Sequence, residues 1–189
     1  MREMNIKSEK DITRLIESDG WMMNVLWAAK TLNLDDWWIG AGFLRDKVWD
    51  SVSNIAHRPT RDVDLVYFNL KNTRPEADWQ YDEYMKKEYP FAEWEVRNQA
   101  RMHYVNGFEP YASTAEGISN WIETATCVGV RLKDKRLEYL FCYGIQDLIG
   151  LVARPVPRFQ TTGLMPIFYE RIKKKQWRRK WPNLIVLEK

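Results

Sequence analysis

Cysteine and histidine are scarce in this chain. Its 189 residues hold two cysteines, Cys127 and Cys142, and two histidines, His57 and His103. Two cysteines are too few for a disulfide scaffold. With no Cys or His at ligand spacing they also argue against a structural zinc site. They read as buried reduced thiols, which suits a cytoplasmic protein. No apolar run reaches the ~18–20 residues of a membrane span. The opening residues are charged and lack the apolar stretch of a secretory signal. Charge of one sign is lacking too. There are 29 Lys and Arg against 26 Asp and Glu, and the net +3 is too small to imply nucleic-acid binding by itself. No repeat, low-complexity tract or clear linker is visible. No Gly-x-Ser-x-Gly elbow is present either, which disfavours a serine hydrolase. What remains is ordinary globular composition, 45% hydrophobic and 29% charged, in a length that suits one domain with a real core. The ten tryptophans read first as core anchors and second as stacking platforms.

The pattern predicts helices and strands in alternation. Residues 8–34 read as two helices broken at Asp19-Gly20, the first opened by a Ser8/Asp11 capping box. Trp37-Trp38-Ile39 reads as a strand running into a Gly40-Ala41-Gly42 turn, with a helix from Phe43. Residues 53–61, with His57, read as a loop. Asp62 to Phe68 alternates like a strand. A surface helix over 76–89 follows, then a short strand at Trp94-Glu95-Val96. Ser113 and Glu116 form a capping box for a helix towards Trp121. Residues 126–132 and 137–142 form a hairpin. Further helices are expected over 145–152 and 166–180. The fold class is therefore α/β or α+β: a single domain over 1–189 with a mixed β-sheet flanked by helices. Its parts are a helical segment 8–34, a catalytic-type core 37–142 and C-terminal helices 144–181.

The informative chemistry is a glycine turn followed by paired aspartates. Residues i and i+2 of a strand share a face, so Asp62 and Asp64 present two carboxylates side by side. Their repulsion raises each other's pKa unless a cation neutralises them. A pair of hard oxygen ligands suits Mg2+, with Mn2+ as an alternative, held together with substrate phosphates. Glu95 is the best third carboxylate from a neighbouring strand. Gly40 and Gly42 let backbone approach a ligand, and the following helix aims free N–H groups at a phosphate. Arg45, in its first turn, can grip a phosphate oxygen with its fork. Arg97 reads as either an ion-pair partner of Glu95 or a phosphate contact.

In this order the motifs resemble the polymerase-β nucleotidyltransferase superfamily. Within it, four blocks resemble a bacterial nucleotidyltransferase-like family of uncertain function: Trp38-Ile-Gly-Ala-Gly-Phe-Leu-Arg-Asp46, Asp62-Val-Asp-Leu-Val-Tyr-Phe68, Glu95-Val-Arg-Asn-Gln-Ala-Arg101 and Thr124-Ala-Thr-Cys-Val-Gly-Val-Arg131. Tyr143 to Leu148 and Trp177 to Pro182 resemble its C-terminal blocks. The resemblance covers roughly residues 20–184. It implies that superfamily's fold, with Asp62, Asp64 and Glu95 as metal ligands and Gly40 and Gly42 in the phosphate-binding turn. The implied reaction moves a nucleoside monophosphate from an NTP to an acceptor hydroxyl, releasing pyrophosphate. The acceptor class stays open between a small molecule, RNA and a protein. Two alternatives stand beside it: a non-catalytic nucleotide-, RNA- or partner-binding module, and a toxin–antitoxin-type transferase.

Other residues have plainer readings. His57 and His103 lie on different segments and read as exposed or supporting histidines. Asp147 either contacts a substrate or pairs locally. Thr124 and Thr126 fit β-branched strand propensity without a ligand. Arg101 shares the even spacing of Glu95 and Arg97 and faces the site if that strand runs far enough. Arg171 to Trp181 carries seven Lys or Arg with two Trp. It reads as an amphipathic helix with solvated charges, ahead of an RNA-facing helix.

Overall fold

The computed structural model describes residues 6–56 and 61–188, so His57 lies outside the described residues. The chain begins with helices α1 (Glu9–Glu17) and α2 (Gly20–Thr31). The Ser8 hydroxyl accepts from Asp11 N while the Asp11 carboxylate accepts from Ser8 N, so two end donors are satisfied reciprocally. Asp19 stops the first helix and caps the second, its carboxylate accepting from Trp21 N and Met22 N. Strand β1 (Trp38–Gly40) then enters helix α3 (Gly42–Val52) through Ala41.

Strand β2 (Asp62–Tyr67), helix α4 (Pro75–Glu88) and strand β3 (Glu93–Asn98) form a crossover that leaves β2 and β3 parallel. Helix α5 (Gln99–Met102), a 3-10 turn (His103–Asn106) and helix α6 (Thr114–Ser119) lead to the hairpin β4 (Val128–Lys133) and β5 (Arg136–Phe141). Its two-residue turn puts both Asp134 and Lys135 at positive φ, which matches the twist of the flanking strands. These strands make one mixed sheet in the order β3-β2-β1-β4-β5. The chain ends with α7 (Gln146–Ile149), β6 (Val152–Ala153), α8 (Pro157–Thr161), α9 (Met165–Lys175), a 3-10 turn (Trp177–Arg179) and β7 (Ile185–Val186). Strands β6 and β7 pair in parallel as a separate ribbon.

The two faces of the large sheet differ. Ile39, Val63, Leu65, Val96 and Val130 point into the main core, which takes in α1, α2, α3 and the C-terminal segment. The opposite face carries Trp38 and Val66 under a smaller cluster with Ile118, Val156 and Phe159. By the two-residue period, Asp62 and Asp64 share that second face with Val66, and Glu95 and Arg97 share it on β3. The strands thus put their apolar residues into the large core and their charges on the less covered side.

Two expected helices are shortened. Residues 145–152 hold only four helical residues, because Leu151 adopts a left-handed backbone (φ 54°) and the chain becomes β6. The helix over 166–180 stops at Lys175, because Gln176 is left-handed (φ 48°). That break drives Trp177 and Trp181 inward onto Trp49, at ring distances of 5.5 and 4.9 Å. Both indoles are therefore core anchors rather than stacking platforms on an exposed helix. Asp50, fully buried, fastens the same segment: it accepts from Trp181 Nε1 (2.9 Å) and pairs with Lys180 Nζ. Removing the Trp49 side chain would cost about 3–5 kcal/mol. Of the ten tryptophans, Trp37, Trp38, Trp49, Trp94, Trp177 and Trp181 are buried, so core packing is their main use.

Candidate active site

The site is built where β1 turns into α3. Ala41 joins them at φ 52°, ψ −126°, a conformation L residues rarely adopt, at a cost of about 1–3 kcal/mol. No side chain caps α3, and the first helical bond runs from Arg45 N to Ala41 O (3.1 Å). The open N–H groups and the positive end of the helix face the cleft. The expected roles of the two glycines are redistributed. A Cβ on Gly40 would lie 2.5 Å from Trp121 Cη2 and 3.0 Å from Val128 O, so Gly40 is small to admit the Trp121 ring. Gly42 has ordinary space around it, and the strained residue lies between them. Sequence reasoning passed over Ala41 because a positive φ at alanine has no sequence signal.

Asp64 is the centre of the cleft. It borders two adjoining lobes, as do Ala41 and Arg171. One lobe, of about 300 Å3, includes Val66, Glu95, Arg97 and Trp121. The other, of about 430 Å3, includes Asp62, Gly42, Arg45, Lys175, Arg179 and Lys180. Parallel pairing puts Glu95 level with Asp64 and Glu93 level with Asp62. The Asp64 carboxyl is pushed up to about 6, first by burial and then by the negative charges of Glu95 and Asp62; Arg45 and Arg171 pull the other way. Such a group is poised to accept a cation.

Several expected contacts take a different form. Arg45 is buried, and its fork is already spent: Nε (3.0 Å) and Nη2 (2.7 Å) both donate to Asp46 Oδ1. It is not left to grip a phosphate through that fork. Its plane also lies over Trp177, 4.6 Å from the ring centre. Arg97 Nε is 3.3 Å from Glu95 Oε1 and Nη1 is 2.7 Å from Asp82 Oδ2. Arg97 thereby draws the exposed Glu95 towards itself. Among the described residues no three His, Cys, Asp or Glu side chains close into a metal cage. The Asp62/Asp64 pair nevertheless fits a hard divalent cation, since Mg2+ commonly takes only one or two protein carboxylates and completes its shell with water and phosphate. Strand β3 ends at Asn98, so Arg101 leaves the site and pairs with buried Asp78.

The site residue with the weakest sequence signal is Arg171, from α9. Its Nε approaches Glu123 Oε1 to 2.6 Å, a close charge contact without hydrogen-bond geometry. Glu123 is fully buried and also accepts from Thr126 Oγ1 (2.9 Å), which accepts from Arg45 Nη1 (2.8 Å). Asp46, Arg45, Thr126, Glu123 and Arg171 thus form one polar chain behind Asp64. Thr126 precedes β4 rather than lying in a strand, and its role is this hydrogen bonding. Thr124 likewise donates to Asp147 (2.6 Å), which also accepts from Arg154 Nε, so Asp147 pairs locally. His103 packs against Tyr104 in its own turn and against Tyr111 in the segment that follows.

Comparison with known proteins adds the following. A sequence-family model described as nucleotidyltransferase matches residues 27–186. No curated protein matches in sequence. A solved structure described as a CCA-adding enzyme head domain is 29% identical, with a TM-score of 0.87 over 97% of this chain and 98% of that one. A CCA-adding enzyme bound to CTP matches at 14% identity and a TM-score of 0.54, over 84% of this chain and 40% of that one. A CCA-adding enzyme bound to ATP matches at 14% and 0.56, over 93% and 42%. The last two likenesses are of fold alone, and the chain spans less than half the length of either protein.

Proposed function

The chain belongs to the nucleotidyltransferase family, and from that premise we propose that it moves a nucleoside monophosphate from an NTP to an acceptor hydroxyl and releases pyrophosphate. The observation that carries this reading is Asp64. It is a mostly buried carboxylate beside two others, facing a lobe lined with cations. Asp62 and Asp64 would hold Mg2+ or Mn2+, with Glu95 beside them on β3. A divalent cation bound there would neutralise phosphate oxygens and acidify the acceptor hydroxyl.

The chain's own groups do the rest. Lys175 and Arg179 make no ion pair with a described residue, and they border the lobe next to Asp62. They attract the β- and γ-phosphates. The free N–H groups at the start of α3 donate to phosphate oxygens from the fixed Ala41 turn. Arg171, between the two lobes, offsets charge building on the α-phosphate and pyrophosphate during transfer. Arg45 orients this face through Asp46 and Thr126 rather than by touching the donor. Glu95, more exposed than Asp64, accepts the acceptor proton.

Calorimetric titration of the four NTPs, with and without Mg2+, tests the proposal. CTP and ATP come first, because complexes of both are known on this fold. Metal-dependent binding of an NTP, lost in Asp62→Asn/Asp64→Asn, is the expected result. Binding that survives in the double variant, without pyrophosphate release by either protein, would leave a binding module. No NTP binding under any condition would overturn the reading.

A further inference from the structure

The two lobes of the cleft differ in whether their cations are already used. In the basic lobe, Lys175 and Arg179 are free of ion pairs with described residues. In the other lobe the cations are Arg97 and Arg171, and both are engaged, by Glu95 and Asp82 and by Glu123. The amide of Asn120 is engaged as well: Nδ2 donates to Glu116 O (2.8 Å) and Oδ1 accepts from Arg158 Nη1 (2.6 Å). Besides the Asp64 and Glu95 carboxylates, what this lobe offers a ligand is mostly apolar surface. Val66, Ile122, Met102 and Val105 line it, together with the rings of Tyr111 and Trp121. The Gln99 side chain lies close over Gly117, where a Cβ would meet Oε1 at 2.6 Å. At about 300 Å3 the lobe is at the small end of ligand pockets.

In-line displacement puts the attacking oxygen and the leaving pyrophosphate on opposite sides of the α-phosphorus. If the free cations hold the pyrophosphate, the acceptor enters from the other lobe, past Glu95. We infer that the acceptor is a small uncharged molecule that carries a hydroxyl and lays an apolar ring face on Trp121 and Tyr111, rather than a nucleic acid. A polyanion needs several free Lys and Arg to replace its counterions, whereas here Arg97 and Arg171 each already lie beside a carboxylate and Asp64 and Glu95 line the same lobe. The inference rests on the nucleotidyl-transfer reading for its direction of attack, though not for the chemistry of the lobe.

The test is ligand-observed NMR on the full chain. The neutral probes are phenyl β-glucoside and benzyl alcohol. The anionic probes are glucose 6-phosphate and a short single-stranded RNA. The neutral probes are expected to bind, also with Mg2+ and NTP present. Val105→Trp is a plug at an exposed position, so it should leave the fold and NTP binding intact. It should weaken the neutral probes about tenfold or more, and Met102→Trp should repeat the effect from the preceding turn. Three results would overturn the inference: neither neutral probe binding, an anionic probe taking the lobe and losing it in Val105→Trp, or NTP displacing the neutral probes. The last would make this lobe the nucleoside subsite. Asp62→Asn/Asp64→Asn separates the two proposals, because it should lose NTP while keeping the neutral probes. Probe binding without any NTP binding would end the transferase reading and leave the lobe as a neutral-ligand site.

Discussion

Replacing Asp64 by asparagine should make the metal-free protein more stable at neutral pH while it removes nucleotide binding. The native carboxyl is raised from the ordinary 3.8 to about 6, by burial first and by Glu95 and Asp62 next. Between those values the folded chain holds a proton that the unfolded chain has lost, so stability falls as pH rises through that window. The wild type carries the whole penalty above about pH 6 and none below about pH 4. At about 1.36 kcal/mol per tenfold shift, the penalty is at most about 3 kcal/mol. The carboxyl retains some contact with water, which reduces this to about 1–2 kcal/mol. The asparagine amide is an uncharged isostere and escapes the penalty. For a chain of this length the gain corresponds to about 3–6 °C in Tm. The assay is thermal unfolding in EDTA across pH 4 to 8, for both proteins. The gap should be widest at neutral pH and close as the acid is protonated. Added Mg2+ should narrow it by stabilising the wild type alone. A variant that is less stable at pH 7.5 in EDTA, or a gap that ignores pH, would refute the electrostatic reasoning.

Arg171→Gln should destabilise the fold by about 2–4 kcal/mol, since it leaves buried Glu123 without its cation. Adding Glu123→Gln should recover much of that stability, and denaturant melts of the four proteins in the cycle measure the coupling. Activity should stay low in the double variant if Arg171 also acts on the phosphates. Ala41→Gly should raise stability by up to about 1 kcal/mol by releasing the positive-φ strain, and Ala41→Val should lower it, both read by thermal unfolding. Gly40→Ala should cost about 1–3 kcal/mol, because the new methyl collides with Trp121. Lys175→Glu/Arg179→Glu should weaken NTP binding at least about tenfold, and more at low salt, while Tm stays close to that of the wild type.

The alternation in Asp62 to Phe68 and the isolated Trp94-Glu95-Val96 run were legible because a strand's two-residue period is written in the chain itself. So were the capped starts at Ser8 and Ser113 and the hairpin through Asp134 and Lys135. Local rules failed at Gln176 and Leu151. Nothing in either residue demands a left-handed backbone, and long-range packing of Trp177 onto Trp49 and pairing of β6 with β7 accompany it. Arg45 was placed correctly on the helix opening the site, but its partners, Asp46 and Thr126, were not foreseeable. One is 81 residues away in sequence. The C-terminal basic stretch divides in the same way. Its charge was plain, yet only the fold shows that Arg171, Lys175 and Arg179 reach the cleft while its tryptophans turn into the core.

By itself the sequence determined the fold class and the pairing of two aspartates on one strand face, because these depend on periodicity over a few residues. It also determined the order of glycine turn, aspartate pair and third carboxylate, which carries the family resemblance. Tertiary structure alone decided which cations are free and which are spent, how Glu95 is shared with Arg97, and that Arg171 borders both lobes. Those are properties of groups distant in the chain and close in space. Their charges interact across distances set by the packing of the sheet, α3 and α9, and no local pattern encodes that packing.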